Sequence, residues 1–176
     1  MIRVWDRAVR VLHWALAGAV GLGWATTEWL VRWHQPIGYV AVALVGLRIG
    51  WGCIGPRRAR FSGFVRGPRT TLRHARLLLQ GREPRYVGHN PLGGWMVVAL
   101  LGCVVALALT GWLYTTDRLW GDATVEALHE GFAWALVGLV ALHLAGVIHA
   151  SRRHRENLVA AMSSGRKREP RDDDVD

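Results

Sequence analysis

The sequence predicts an all-α integral membrane protein, a four-helix up-down bundle with both termini in the cytoplasm. Three observations carry that prediction. Four apolar blocks, residues 11–30, 36–54, 91–113 and 128–150, each approach the roughly 20 residues that cross a hydrocarbon core. The charged residues between them alternate from strongly basic to nearly neutral or acidic. Within the last block, His129 and His143 stand fourteen residues apart, with no Asp, Glu, Lys or Arg over residues 131–151. At about 1.5 Å and 100° per residue, that offset returns to nearly the same helix face about 21 Å along.

The first block begins with His13 and Trp14, is too long for a simple signal-peptide core and lacks a small-residue cleavage site, so it reads as a mature helix. The second carries Arg48 and is the weakest of the four. Asn90 followed by Pro91 has the form of a helix cap and first helical position for the third. Four such segments in 176 residues argue against buried helices of a soluble protein. Between the second and third blocks, residues 68–80 (PRTTLRHARLLLQ) have helical periodicity with an arginine-rich face and predict an interfacial amphipathic helix. The transmembrane domain is expected to cover residues 1–160, and residues 161–176 a charged, disordered tail.

A net charge of +9 could suggest nucleic acid, but its distribution follows topology instead. Residues 56–90 hold nine arginines against the single Glu83, and Arg3, Arg7, Arg10, Arg152, Arg153 and Arg155 flank the first and last blocks. The other connections carry Glu28 and Arg32, then Asp117, Arg118, Asp122 and Glu126. Both termini and the 56–90 loop are therefore expected in the cytoplasm of a bacterial inner membrane, with anionic lipid as a contact for the basic segments. Trp5 and Trp14 fall near the inner interface, and Trp29, Trp33, Trp112 and Trp120 near the outer one. Trp24, Trp51 and Trp134 are expected against neighbouring helices or a large flat ligand. Gly18, Gly21, Gly23, Gly46, Gly50, Gly102, Gly138 and Gly146 permit close helix approach and equally make room for a porphyrin. Cys53 and Cys103 belong to no C-x-x-C-H motif, so any haem is held non-covalently; small core residues are the favoured reading and a disulfide the other.

Imidazoles inside a bilayer are costly and mark functional sites. Four crossings with cytoplasmic ends give two pairs at matching depth on different helices: His13 with His143 on the inner side, and His34 with His129 on the outer side. Haem iron accepts two axial imidazoles, so two stacked bis-histidine haem b groups follow. His149, about 120° round the helix from His143, is the rival inner ligand, because its depth matches His13 slightly better. His89 would serve only if the third helix faced a haem, and His74 and His154 are expected to be solvated loop or interface residues. Arg48 has two readings, a partner for a haem propionate or a side chain that snorkels to the inner surface. Glu130 either orients an outer group or marks the membrane boundary.

VWDRAVRVLHW, RIGWGCIGPRRARFSGF, GHNPLGGWM, ALTGW, LHEGFAWALVGLVALHLAGV and ENLVAAMSSGRKR together resemble the bacterial cytochrome b561 and nickel–iron hydrogenase cytochrome b family over residues 2–168. The resemblance implies a four-helix membrane cytochrome with two b haems passing electrons between quinone and a partner protein. It also implies haem ligation at His13, His34, His129 and His143. The expected function is thus a di-haem electron conduit of the respiratory chain, an oxidoreductase subunit whose partner is a hydrogenase, a dehydrogenase or a c-type cytochrome. A self-contained superoxide:quinone oxidoreductase is the alternative, but Arg32 and Arg118 among several acids make a poor outward funnel for an anion. A histidine-lined metal transporter would need polar groups along a path, where the sequence has apolar stripes.

Overall fold

The computed structural model describes residues 1–28, 30–172 and 174–175. Its elements run β1 (Ile2–Arg3), α1 (Arg7–Ala25), α2 (Val31–Ile54), α3 (Phe61–Phe64), α4 (Pro68–Leu79), α5 (Pro91–Tyr114), α6 (Ala123–Arg153), α7 (Leu158–Ser164) and β2 (Arg166–Lys167). The class is all-α, as the sequence predicts, with four helices among the described residues long and apolar enough to cross a membrane: α1, α2, α5 and α6. Their exposed side chains include Val11, Leu22, Val40, Leu47, Leu109, Val137, Leu142 and Ile148. Such surfaces suit lipid, where every backbone polar group must be satisfied within the helix. The chain divides into two compact units, residues 1–10, 50–98 and 142–176, and residues 11–49 and 99–141.

The second unit is purely helical and takes one stretch from each of the four long helices. α1 ends at Ala25, earlier than its apolar block, where the Thr26 hydroxyl donates to the carbonyls of Leu22 and Gly23 (2.8 and 3.0 Å). α2 starts at Val31 and so includes Pro36 in its second turn. A proline normally marks a helix start, but here it costs only a single ladder hydrogen bond and His34 gains a helical position. α6 likewise starts at Ala123, with the Asp122 carboxylate accepting from the amides of Thr124 and Val125 (2.9 and 3.0 Å). His129 therefore lies in the second turn rather than at the helix start. Trp24 and Trp134 meet edge to face with centroids 5.2 Å apart. Trp14, Trp33, Trp112 and Trp120 are exposed; Trp29 lies outside the described residues.

The first unit holds the connections. Asn90 caps α5 as predicted, its Oδ1 accepting from the Gly93 amide (2.7 Å). β1 and β2 pair antiparallel, Ile2 opposite Lys167 and Arg3 opposite Arg166. Beneath them Val4, Trp5 and Val87 form a buried cluster joined by Ile2 and Met162, so Trp5 is a core residue rather than an interface anchor. α7 is capped by Asn157, whose side chain accepts from the Ala160 amide (2.9 Å), and closes on Gly165 at φ 80°. Gly165 is required twice over, since a Cβ there would lie 2.7 Å from the Trp5 carbonyl oxygen.

Within the segment 161–176, expected as a disordered tail, the described residues 161–172 and 174–175 instead complete α7, form β2 and pack within the unit. Asp174 pairs with Arg85 and, at 3.4 Å, with Arg168. Glu156 accepts from Arg85 at 2.8 Å and lies 3.6 Å from Lys167. The tail carries both signs of charge, and a buried partner of each sign awaits it, which composition alone does not reveal. His74, expected to be solvated, is 3% exposed and packs edge-on against Tyr86 (centroids 5.3 Å apart). Burial pushes its pKa below the ordinary value against the opposing pull of Glu83. The periodicity of α4 is as predicted, but one histidine on that helix faces the protein.

Candidate functional site

The site is clearest in the helical unit, where α2 and α6 bring His34 and His129 together. Both rings are half-buried, their centroids lie 6.1 Å apart, and their planes cross at 76°. His34 Nδ1 lies 2.9 Å from the carbonyl oxygen of Gly23, which only accepts, so Nδ1 carries the proton. His129 Nδ1 lies 3.0 Å from the Thr110 hydroxyl. That hydroxyl is also within 2.9 and 3.1 Å of the Ala106 and Leu107 carbonyls, so its hydrogen goes back to its own helix and its oxygen accepts from His129. Each ring is therefore held through Nδ1–H, leaving Nε2 as the basic nitrogen. That is the arrangement of metal-ligating imidazoles, whose second nitrogen is fixed by a hydrogen bond.

Gly111 completes the fit: a Cβ there would stand 3.1 Å from His129 Cε1. Two imidazoles sharing one metal ion at about 2 Å each, with ring centres roughly 1 Å beyond the nitrogens, have centroids about 6 Å apart. The observed 6.1 Å matches, so these residues fit an iron held between them.

Thr110, Gly111 and the Gly23 carbonyl were not singled out as site residues from the sequence. The available signal was a Thr-Gly pair inside an otherwise wholly apolar helix, within the ALTGW stretch. Arg48 lies on α2 in the same unit and is 7% exposed. His13 is half-buried in that unit, edge-on to Trp14 (5.2 Å).

His143 belongs to the other unit and is half-buried on α6. His149, in the same unit, has a side chain 55% exposed, and its Nε2 lies 3.3 Å from the buried Glu83 carboxylate. Arg153 Nε also reaches Glu83, at 3.2 Å. His89 stacks obliquely between Trp5 and Phe64, with centroids 4.6 and 4.5 Å away. Among the described residues, no group of three or more His, Cys, Asp or Glu side chains is placed to hold a metal ion by itself. Cys53 and Cys103 are free thiols.

Four membrane-length helices, two of them carrying a crossed imidazole pair, define a multi-pass membrane protein. The family model for prokaryotic cytochrome b561 matches residues 4–165, and the chain belongs to that family. It is accordingly a multi-pass membrane cytochrome that binds b-type haem and serves electron transfer. No curated protein and no solved structure matches it.

Proposed function

We propose that the chain is a di-haem cytochrome that carries electrons across the bacterial cytoplasmic membrane between the quinone pool and a redox partner. The partner classes are a hydrogenase, a dehydrogenase or a c-type cytochrome. The observation that carries the reading is the His34–His129 pair, at iron-sharing separation and with both Nδ1 atoms engaged. Bound there, haem b supplies a one-electron iron couple whose potential follows the axial ligands and the local dielectric. Gly23 and Thr110 fix the tautomers, and the apolar helix surfaces exclude water from around the rings.

We assign the second haem to His13 and His143, following the helix order, the fourteen-residue spacing and the family resemblance. The engagement of His149 with Glu83 favours His143 over His149. Burial of Arg48 favours the propionate reading over the snorkelling one. Pairing of β1 with β2 favours an even number of crossings with both ends on one side, and the nine arginines of residues 56–90 favour the cytoplasmic side.

The test is a reduced-minus-oxidised visible spectrum of the purified chain with a pyridine haemochrome count. Two b haems per chain support the proposal and none overturns it; one haem confines it to the His34–His129 site. Separate Ala variants of His143 and His149 then decide the second ligand, with haem loss expected only for His143→Ala.

A further inference from the structure

Within α4, His74 is the buried residue, while Arg69, Leu72, Arg73, Arg76 and Leu79 are exposed. Its ring meets Tyr86 edge-on, with centroids 5.3 Å apart. Both ring nitrogens are shut off from solvent, and neither has a hydrogen-bond partner among the described residues. We propose that this contact is a pH-sensitive latch, which holds α4 closed on Tyr86 at neutral pH and lets the helix open on acidification.

The two sides of the latch are held unequally. Tyr86 is fixed: it forms a bridge with Val175, its carbonyl accepts from Lys167 Nζ (3.5 Å), and the flanking Arg85 and Val87 are buried. The helix is held less. Gly67 at its start offers no capping side chain, and Gly81 follows its end at φ 65°. Glycines at both ends allow the backbone to turn as a hinge. Beyond Gly81 the chain is fixed again, because Arg153 donates to the Gly81 carbonyl and, through Nε, to Glu83 (3.2 Å). Opening therefore pivots about Gly81 and separates His74 from Tyr86.

A neutral imidazole tolerates this setting, but an imidazolium brings a full charge and two N–H donors into it. α4 carries three arginines and no acid, so a further positive charge finds no partner within the helix. Facing His74 from other segments are Glu83 and Tyr86, from the loop after α4, and His154, just past α6. Glu83 favours the imidazolium, yet its Oε1 is already engaged by His149 Nε2 (3.3 Å) and Arg153 Nε (3.2 Å). Burial, with His154 on its side, outweighs Glu83 and holds His74 below the ordinary histidine value. A histidine lowered in this way stabilises the closed helix fully above its unfolded value of about 6.5. That contribution is lost progressively as pH falls below it.

Hydrogen exchange over residues 68–79 tests the latch in the detergent-purified, haem-loaded full chain. Rates are measured between about pH 8 and pH 5 and corrected for the intrinsic pH dependence of exchange. Protection of α4 is expected to stay level above about pH 7 and to fall below it by up to about tenfold per pH unit, the slope for one proton taken up on opening. α7, in the same unit, is the internal reference and is expected to stay level. His74→Phe keeps a ring against Tyr86 and cannot titrate, so its protection is expected to be flat with pH. If that variant does not fold, His74→Gln serves, with weaker protection that is equally flat. His154→Gln removes the neighbouring titration and is expected to keep the slope.

The proposal is overturned if protection of α4 in the unaltered chain is level across the range. A rise on acidification overturns it too, since the imidazolium would then be pairing with Glu83 and tightening the helix. So does a slope that survives in the His74 variant, a slope that disappears in His154→Gln, or an α7 that loosens in step with α4.

Discussion

At the scale of single residues, the hydroxyl of Thr110 decides which nitrogen of His129 is available for chemistry. Thr110→Val keeps the shape and removes the acceptor, leaving His129 Nδ1–H without its partner at 3.0 Å. Loss of such a hydrogen bond to a ligating imidazole typically costs 10–100-fold in metal affinity. We expect the haem proposed at His34 and His129 to wash out at that lower threshold, measured as absorbance retained on titration with a competing apo-haem acceptor. Gly111→Ala acts sterically, since the new Cβ would press on His129 Cε1 at 3.1 Å. A shifted midpoint potential for the haem proposed at His34 and His129, with the second proposed haem unchanged, is the expected result of a redox titration. The 76° crossing of the imidazole planes has its own signature. It predicts a low-spin ferric EPR signal of the strongly anisotropic type; a near-rhombic signal for both haems would contradict the crossed arrangement.

At the scale of elements, the segment after α6 shows how opposite charges order what composition reads as loose. Arg85, Glu156, Lys167 and Asp174 are all nearly excluded from solvent. Removing one member of a buried pair costs about 3–5 kcal/mol, because its partner stays buried and uncompensated. Arg85→Ala is therefore expected to free α7 and β2, seen as fast hydrogen exchange over residues 158–175, with the haem spectrum unchanged. Burial opposes ionisation of Glu156 and Asp174, yet bonds from Arg85 and nearby amides outweigh it and hold both carboxyls below their ordinary range. A lowered carboxyl pKa stabilises the fold above its unfolded value and loses that contribution as pH falls through the folded one. The same exchange should thus stay slow at neutral pH and accelerate only in strong acid. The membrane helices were legible because twenty apolar residues leave few alternatives. Their ends were not, because Thr26 closes α1 from inside its apolar block while Asp122 caps α6 from before its own. His74 was misread because a histidine on an arginine-rich helix gives no sequence sign of the Tyr86 ring it meets.

For the whole molecule, the proposed function requires electrons to cross the bilayer. With a dye oxidant sealed inside vesicles and a quinol added outside, the reconstituted chain is expected to turn the dye over. His34→Ala should reduce that rate to background while leaving one haem in place. The four membrane helices of the molecule could be read from hydropathy and charge alone. The hydrogen bonds that orient His34 and His129 could not, since Gly23 and Thr110 are separated from their histidines by 11 and 19 residues. Only the packing of helices brings them together.

The pairing of β1 with β2 has a temporal side. β1 precedes the first crossing and β2 follows the fourth, so Ile2 meets Lys167 only after the ribosome has delivered every helix to the membrane. Until then Val4 and Trp5 have lost one flank of their cover, Met162 included. The strand pair is in effect a receipt for delivery of all four helices, and a chain stalled before α7 would carry an exposed apolar patch open to quality-control proteases.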